Sequence, residues 1–275
     1  MERRKNTASF LERNLRMSES EIVEQGLKVQ NGAYGVLDAP FLDQVLGSRP
    51  SIKKALDIGT GDGSFIADIA RRHPSVSFLA IDLNPDLIEK ANARKASLGL
   101  NNIEYRTAFF DGTFESDRYD VIFTRFTLEH STDPHGFLRE VAERLEGGGC
   151  FAVVEEYWFD TLVEDDTWRM FRKYMLASYD AFGGNPYVPR DLTGWLRAAG
   201  FSEIKSSLSM CSPATIGANA FRELVLTVPT LIHKIKPGIW DEEFFPVLEG
   251  WIDEVIATNR LDPFIPLAHV IAWKR

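Results

Sequence analysis

The rhythm of apolar and polar positions divides the 275-residue chain into three stretches. Over residues 1–30 apolar side chains recur at helical intervals among charges, with Phe10, Leu11, Leu15, Ile22, Val23 and Leu27 forming an interrupted stripe. Asn31-Gly32-Ala33-Tyr34-Gly35 reads as a break, followed by a short helix at about 38–46 and a closing Ser48-Arg49-Pro50. From residue 53 the pattern becomes short apolar runs alternating with amphipathic ones. Strands are predicted at 53–58, 77–81, 103–107, 120–124 and 149–155, and helices at 64–72, 85–98 and 133–145, the last stopping at three glycines. Mainly apolar strands separated by helices predict a parallel sheet covered on both faces.

The last third is less regular. It reads as a helix at 160–180, a loop at Gly183-Gly184-Asn185-Pro186, a helix from Pro189 to Gly200 and a strand at 201–210. Two helices interrupted by Pro229 and by Pro237-Gly238 fill 215–260, and a final strand covers 267–273. About fifty-five residues therefore separate the last two strands, too many for a structureless loop in a compact domain. The expected division is an N-terminal helical cap element at 1–49 and a main domain at 50–275, with cap insertions at about 157–189 and 212–265.

Composition narrows the function classes. Hydrophobic residues make up 44% and charged residues 26%, which excludes a disordered chain. Thirty-one basic against forty acidic residues give a net charge of −9, a poor match to nucleic acid, whose binders gain affinity from basic side chains. Arg3, Arg4, Lys5, Arg13 and Arg16 form a loose local exception. Cys150 and Cys211 are too few for a disulfide framework, and neither they nor His73, His135, His233 and His269 show metal-ligand spacing. With no apolar leader and no run near the ~18 residues of a membrane span, the expectation is a soluble cytoplasmic protein with no membrane and no nucleic-acid partner.

The chemistry concentrates after the first apolar strand. Ala55-Leu56-Asp57-Ile58-Gly59-Thr60-Gly61-Asp62-Gly63-Ser64 allows a sharp strand-to-helix turn with a ligand against its backbone. One residue separates Gly61 from Gly63, so the dinucleotide fingerprint G-x-G-x-x-G is absent. Asp82 ends the next strand, where its carboxylate can accept two ribose hydroxyls; the bland alternative is a solvent-facing strand cap. Asp57 either organises backbone N–H groups or meets a cationic ligand group.

These residues resemble the class I S-adenosylmethionine-dependent methyltransferase family. Asp57-Ile58-Gly59-Thr60-Gly61-Asp62-Gly63 is similar to its cofactor loop, Asp82 to its ribose acid and Leu83 to the apolar residue beside adenine. Phe110-Asp111-Gly112 resembles the segment near the adenine amino group, and 120–126, ending in Arg125 and Phe126, the strand beside the methionine portion. Arg125-Phe126-Thr127-Leu128-Glu129-His130 with Asp133-Pro134 is similar to the small-molecule branch, of the ubiquinone and menaquinone biosynthesis type, and no Asn-Pro-Pro-Tyr segment follows the fourth strand. The resemblance implies an α/β fold: a Rossmann-like seven-stranded sheet with a reversed final hairpin, helices on both faces and an additional helical cap. It implies S-adenosylmethionine as cofactor, S-adenosylhomocysteine as product, no metal, and methylation of oxygen or nitrogen, less readily carbon, of a small metabolite.

Tyr34 is then either a cofactor contact or a turn aromatic. Arg125 either holds the cofactor's carboxylate or pairs with Glu129. His130, just past the fourth strand, is read as general base, as a ligand contact, or as part of a packed helix entry. Glu155 is the second catalytic candidate, with a solvated strand end as its alternative. Glu156, Tyr157, Trp158, Tyr174, Tyr179, Tyr187 and Arg190 are substrate-pocket candidates. Two other classes stay open: an enzyme using the cofactor for cyclisation or a methylation-coupled rearrangement, and a non-catalytic cofactor-binding protein. A homodimer through the N-terminal helices and a monomer both fit.

Overall fold

The computed structural model describes residues 10, 16–114, 117–158 and 165–274. Arg3, Arg4, Lys5 and Arg13, and the first part of the helical stripe, lie outside the described residues. The chain divides into two compact units.

The larger unit takes in Gly35–Asp160, Gly183–Met210 and Pro266–Arg275. Its frame is one seven-stranded sheet in the order β3-β2-β1-β4-β5-β7-β6. The strands are β1 (Lys54–Ile58), β2 (Ser77–Asp82), β3 (Ile103–Thr107), β4 (Tyr119–Arg125), β5 (Leu145–Glu156), β6 (Phe201–Cys211) and β7 (Ile265–Lys274). Neighbours from β3 to β5 run parallel, whereas β7 is antiparallel to β5, with Val154 opposite His269. Helices α1 (Glu19–Gly47, by its last part), α2 (Ser64–Arg72) and α3 (Pro85–Leu98) pack on one face through Leu42, Val45, Ile66, Ile69 and Ile88. Helices α4 (Pro134–Arg144) and α6 (Val188–Ala198) cover the other through Leu138, Val141, Leu192 and Leu196. Covered on both sides, β1, β2, β4 and β5 bury nearly every side chain, which is why their sequences run apolar rather than alternating.

Local signals set the ends of these elements. Asn84 caps α3 by accepting the Asp86 and Leu87 N–H groups, and Gly99 closes it at a φ of 64°. Asp133 caps α4 at Gly136, with Pro134 in the first turn. The predicted glycine stop after α4 is instead a passage straight into β5. Its register steps from Tyr119–Leu145 to Val121–Cys150, so the three glycines fill a bulge.

The smaller unit consists of the described residues up to Tyr34 with Thr161–Phe182 and Cys211–Ile265. It is helical, with the first part of α1, α5 (Asp166–Phe182), the short α7 (Pro213–Ile216), α8 (Ala218–Ile235) and α9 (Phe244–Thr258). Trp168 stacks on Phe171 at 4.8 Å and on Trp251 at 5.6 Å, giving the unit its own aromatic core. Among the described residues no helix is long and apolar enough to cross a membrane.

Two predicted breaks do not occur. Residues 31–35 lie inside α1, because two glycines cost roughly 1 kcal/mol each while Ile22, Val29, Tyr34, Leu42 and Val45 are all buried along the same helix. Likewise α8 runs through Pro229. A buried proline there costs ~3 kcal/mol, which the burial of Phe221, Leu224, Val225 and Leu226 outweighs.

Candidate active site

Beyond the carboxyl end of β1 the backbone turns at Gly59, Gly61 and Gly63, whose φ angles of 80°, 59° and 70° suit residues without a side chain. At Gly59 a Cβ would stand 2.3 Å from the Thr127 hydroxyl, so the turn also needs the space. Gly59 and Thr60 both donate their N–H groups to the Ile81 carbonyl at 2.9 Å. Gly61 N donates to Asp82 Oδ2 at 2.8 Å, and Asn84 N to Asp82 Oδ1 at 3.0 Å. Backbone donors thus orient both oxygens of Asp82, and each retains a lone pair for a further donor.

A cavity of about 820 Å³ opens at this point, within the larger unit. Gly59, Asp82, Leu83, Phe109–Gly112, Phe126, Thr127 and His130 are on its wall, with Asp133, Phe137 and Arg139 beyond. Leu83 and Phe109 are each 61% exposed, large apolar surfaces turned to an open space. Phe110 is held between Phe114 and Phe137 at 5.4 and 5.2 Å. Asp111 Oδ1 accepts the Thr113 N–H and hydroxyl, and these bonds lower its pKa. Phe126 has a φ of 53°, a left-handed conformation that a bulky residue adopts only when its surroundings hold it there. Its N–H is fixed to the Val154 carbonyl at 2.9 Å.

His130 follows in the short 3-10 turn Leu128–His130. Its side chain is 60% exposed and its Nε2 lies 3.5 Å from Glu129 Oε1. The protein atoms crowding the ring lower its pKa. The turn itself is anchored by Glu155, whose Oε1 accepts Leu128 N at 2.8 Å and Thr127 N at 3.3 Å.

The cavity therefore gathers Gly59, Asp82, Leu83, Phe110, Asp111, Phe126 and His130, with Gly61 contributing through Asp82. The other sequence candidates lie elsewhere. Asp57 is buried in β1, and burial raises its pKa to about 7 against the opposing pull of the Thr60 hydroxyl and the Arg125 charge. Arg125 Nε donates to Asp38 Oδ2 at 2.7 Å, and its guanidinium lies over the Phe126 ring at 4.7 Å, so it backs the cavity wall through Phe126. Asp38 is fully buried and its other oxygen meets His269 Nε2 at 2.9 Å. Glu155 is sealed inside the sheet rather than solvated. Glu156 receives the Trp158 indole N–H, and Trp158 is itself buried. Tyr157 N donates to the Pro266 carbonyl. Tyr34 is buried in α1 rather than placed on a turn, while Tyr174 stacks on Trp240 at 5.0 Å and Tyr179 is buried in α5. The Arg190 guanidinium lies over the Tyr187 ring and binds both oxygens of Asp191.

Sequence reasoning passed over Phe109, Thr127, Phe137 and Arg139 on the cavity wall. Phe109 was accessible to it, being the neighbour of the Phe110-Asp111 segment. Thr127 carries no such signal, since its closeness to Gly59 arises only when β1 and β4 pair.

The methyltransferase-domain family model matches residues 35–206, and the chain belongs to that family. Over 150 residues it is 28% identical to a methyltransferase, str2, of Strobilurus tenacellus, covering 54% of this chain and 52% of that protein. It is 26% identical over 190 residues to a demethylmenaquinone methyltransferase of Roseiflexus castenholzii, covering 62% and 77%. The chain thus spans about half of the first relative's length. A solved phosphoethanolamine N-methyltransferase of Haemonchus contortus shares the fold at a TM-score of 0.62 and 16% identity, over 98% of this chain and 60% of that one.

Proposed function

We propose that this protein transfers the methyl group of S-adenosylmethionine to an oxygen or nitrogen of a small metabolite. The observation that carries this reading is the shared cavity of Asp82, Leu83 and Asp111 at the carboxyl ends of the parallel strands. The donor and acceptor set fits the cofactor. Asp82 offers a lone pair on each oxygen to a ribose diol, Leu83 and Phe110 offer apolar surface to a purine, and Asp111 offers a carboxylate to an exocyclic amine. When bound, S-adenosylmethionine supplies a methyl group already activated on sulfur, so alignment of the acceptor accounts for much of the rate.

The chain's own residues bind, orient and move a proton. The glycine turn brings backbone close to the ligand, and the strained Phe126 backbone fixes the wall on which Thr127 and His130 are mounted. His130 is the one titratable imidazole on the described cavity wall, and its lowered pKa favours the neutral ring, which has a lone pair free to accept a proton. A small metabolite is favoured by the likeness to the Roseiflexus demethylmenaquinone methyltransferase, whose acceptor is a small molecule.

Calorimetric titration with S-adenosylmethionine and S-adenosylhomocysteine is the first test, and binding of both is expected. Incubation with methyl-labelled cofactor and a panel of phenols, hydroquinones and amines should then give a labelled product by mass spectrometry. Absence of binding by either ligand would overturn the reading.

A further inference from the structure

We propose that Glu129 and Glu155 hold a single proton between them, and that through Glu129 this pair positions His130 to receive the acceptor's proton. The role of His130 rests on the methyl-transfer reading above; the carboxyl pair does not.

Glu155 is 0% exposed at the end of β5. Its two oxygens differ. Oε1 accepts two backbone N–H groups from the Thr127–Leu128 turn, whereas Oε2 is sealed from solvent and meets no donor among the described residues. The neighbour of this carboxyl is the side chain of Glu129, which is buried as well. Two carboxylates in contact away from water do not both ionise, and a proton on one supplies the donor that the other lacks. Burial pushes the Glu155 carboxyl up to about 7, while the backbone N–H groups of the turn and the hydrogen bond with the Glu129 side chain pull the other way. A hydrogen bond between two carboxyls needs a proton on one of them.

The charged groups on the neighbouring elements hold partners of their own. Arg125 on β4 and His269 on β7 both pair in register with Val154, so alternation places them on the face opposite Glu155, where Asp38 binds them. Glu156 points to that same opposite face and takes the Trp158 indole. On α4, Glu140 pairs with Arg144, while His135 meets Trp195 and Arg139 and Glu143 lie on the cavity wall. On α6, Arg190 is bound to Asp191. Asp133 caps Gly136, and the loop before α6 supplies the neutral Asn185 N–H to the Glu129 carbonyl at 2.7 Å.

Glu129 links the pair to the cavity. With the imidazole N–H on Nε2 directed at Glu129 Oε1, the lone pair is on Nδ1. The acceptor's O–H or N–H bond breaks and its proton passes to Nδ1. The electron pair left on the acceptor atom forms the new bond to the methyl carbon as the carbon–sulfur bond breaks, and the pair of that broken bond stays on sulfur as the neutral thioether. Charge on Glu129 stabilises the imidazolium that results. Glu129 and Glu155 are thus positioning residues.

Two variants move His130 in opposite directions. Glu129→Gln removes the carboxylate, and the His130 pKa should fall by about 1 pH unit, read from its ring-proton NMR titration in the protein without cofactor. Glu155→Gln keeps an acceptor for the Thr127–Leu128 turn and gives Glu129 an amide donor, so Glu129 carries the full charge and the His130 pKa should rise. His130→Gln identifies the resonance. Shifts of the same sign, or none, overturn the coupling. Infrared spectroscopy tests the shared proton directly: in an Asp57→Asn background, which removes the other buried carboxyl with a pKa of about 7, a buried protonated-carboxyl band at pH 6 is expected, and its absence overturns the pair. In the methyl-transfer assay the acid limb of kcat against pH should move with His130 in both variants. A limb that stays put removes His130 as the base and leaves the carboxyl pair standing.

Discussion

Each oxygen of Asp82 receives one backbone N–H, from Gly61 on one side and Asn84 on the other, before any ligand arrives. The carboxylate is thereby held rigid at the end of β2, and a diol that binds it finds its partner already oriented. Asp82→Asn turns one oxygen into a donor that faces either a backbone N–H or a hydroxyl. Losing one charged hydrogen bond costs about 1.5–3 kcal/mol, so calorimetry should show S-adenosylmethionine affinity falling roughly ten- to a hundredfold with the fold intact. Asp82 and the glycine turn were legible in the sequence because their signal is local: a strand, a tight turn and a second strand within about thirty residues. The buried bond of Arg125 was not legible, for the opposite reason. Its partner Asp38 lies 87 positions away, and no spacing rule reaches that far. For Glu155 the alternation of a strand indicates that two faces exist but not which one borders the crevice.

At the level of elements, Asp38 ties three together. Placed on α1, it binds Arg125 at the end of β4 and His269 on β7, and Phe41 from the same helix packs on the His269 ring at 4.9 Å. Asp38 is 0% exposed and the Arg125 side chain only 10%, so removing the carboxylate takes the Asp38 counter-charge from a buried cation. Asp38→Ala should destabilise the protein by about 3–5 kcal/mol in denaturant titration. A loss under 1 kcal/mol would mean that water replaces the missing partner. Most strands and helices of the sheet unit fall where the apolar rhythm predicts them, since caps such as Asn84 and Asp133 and the glycine at 99 mark their ends in the sequence itself. The errors at Gly32, Gly35 and Pro229 share one cause. Glycine and proline weaken a helix locally, while the burial that outweighs them is supplied by distant segments.

Across the whole molecule, the fold keeps two carboxyl groups away from water at a cost that depends on pH. Asp57 and Glu155 start from ordinary values of 3.8 and 4.5, and burial takes each to about 7. Between those limits the unfolded chain releases protons that the folded protein retains. Their contribution to stability therefore declines as pH rises from about 4 to 7 and is level above that. Asp57→Asn should flatten that decline, with the largest gain over the unaltered protein above pH 7, measured by denaturant titration of the cofactor-free protein across pH. An unchanged slope would place the Asp57 carboxyl in water. The charge balance of the chain gives no hint of this behaviour, because it counts acids without saying which are buried.

The position of β7 has a further consequence for how the molecule is made. It sits between β5 and β6 but follows both in the chain, with β6 ending at Cys211 and β7 starting at Ile265. During synthesis, five strands can pair in order as they emerge, while β6 has no neighbour until the stretch after Cys211 has been translated. At roughly 5–20 residues per second that interval lasts on the order of 3–11 s. For those seconds the nascent chain presents two open strand edges, β5 and β6, each with an unpaired row of N–H and C=O groups. The helices that fill the interval are completed before the strand that closes the sheet.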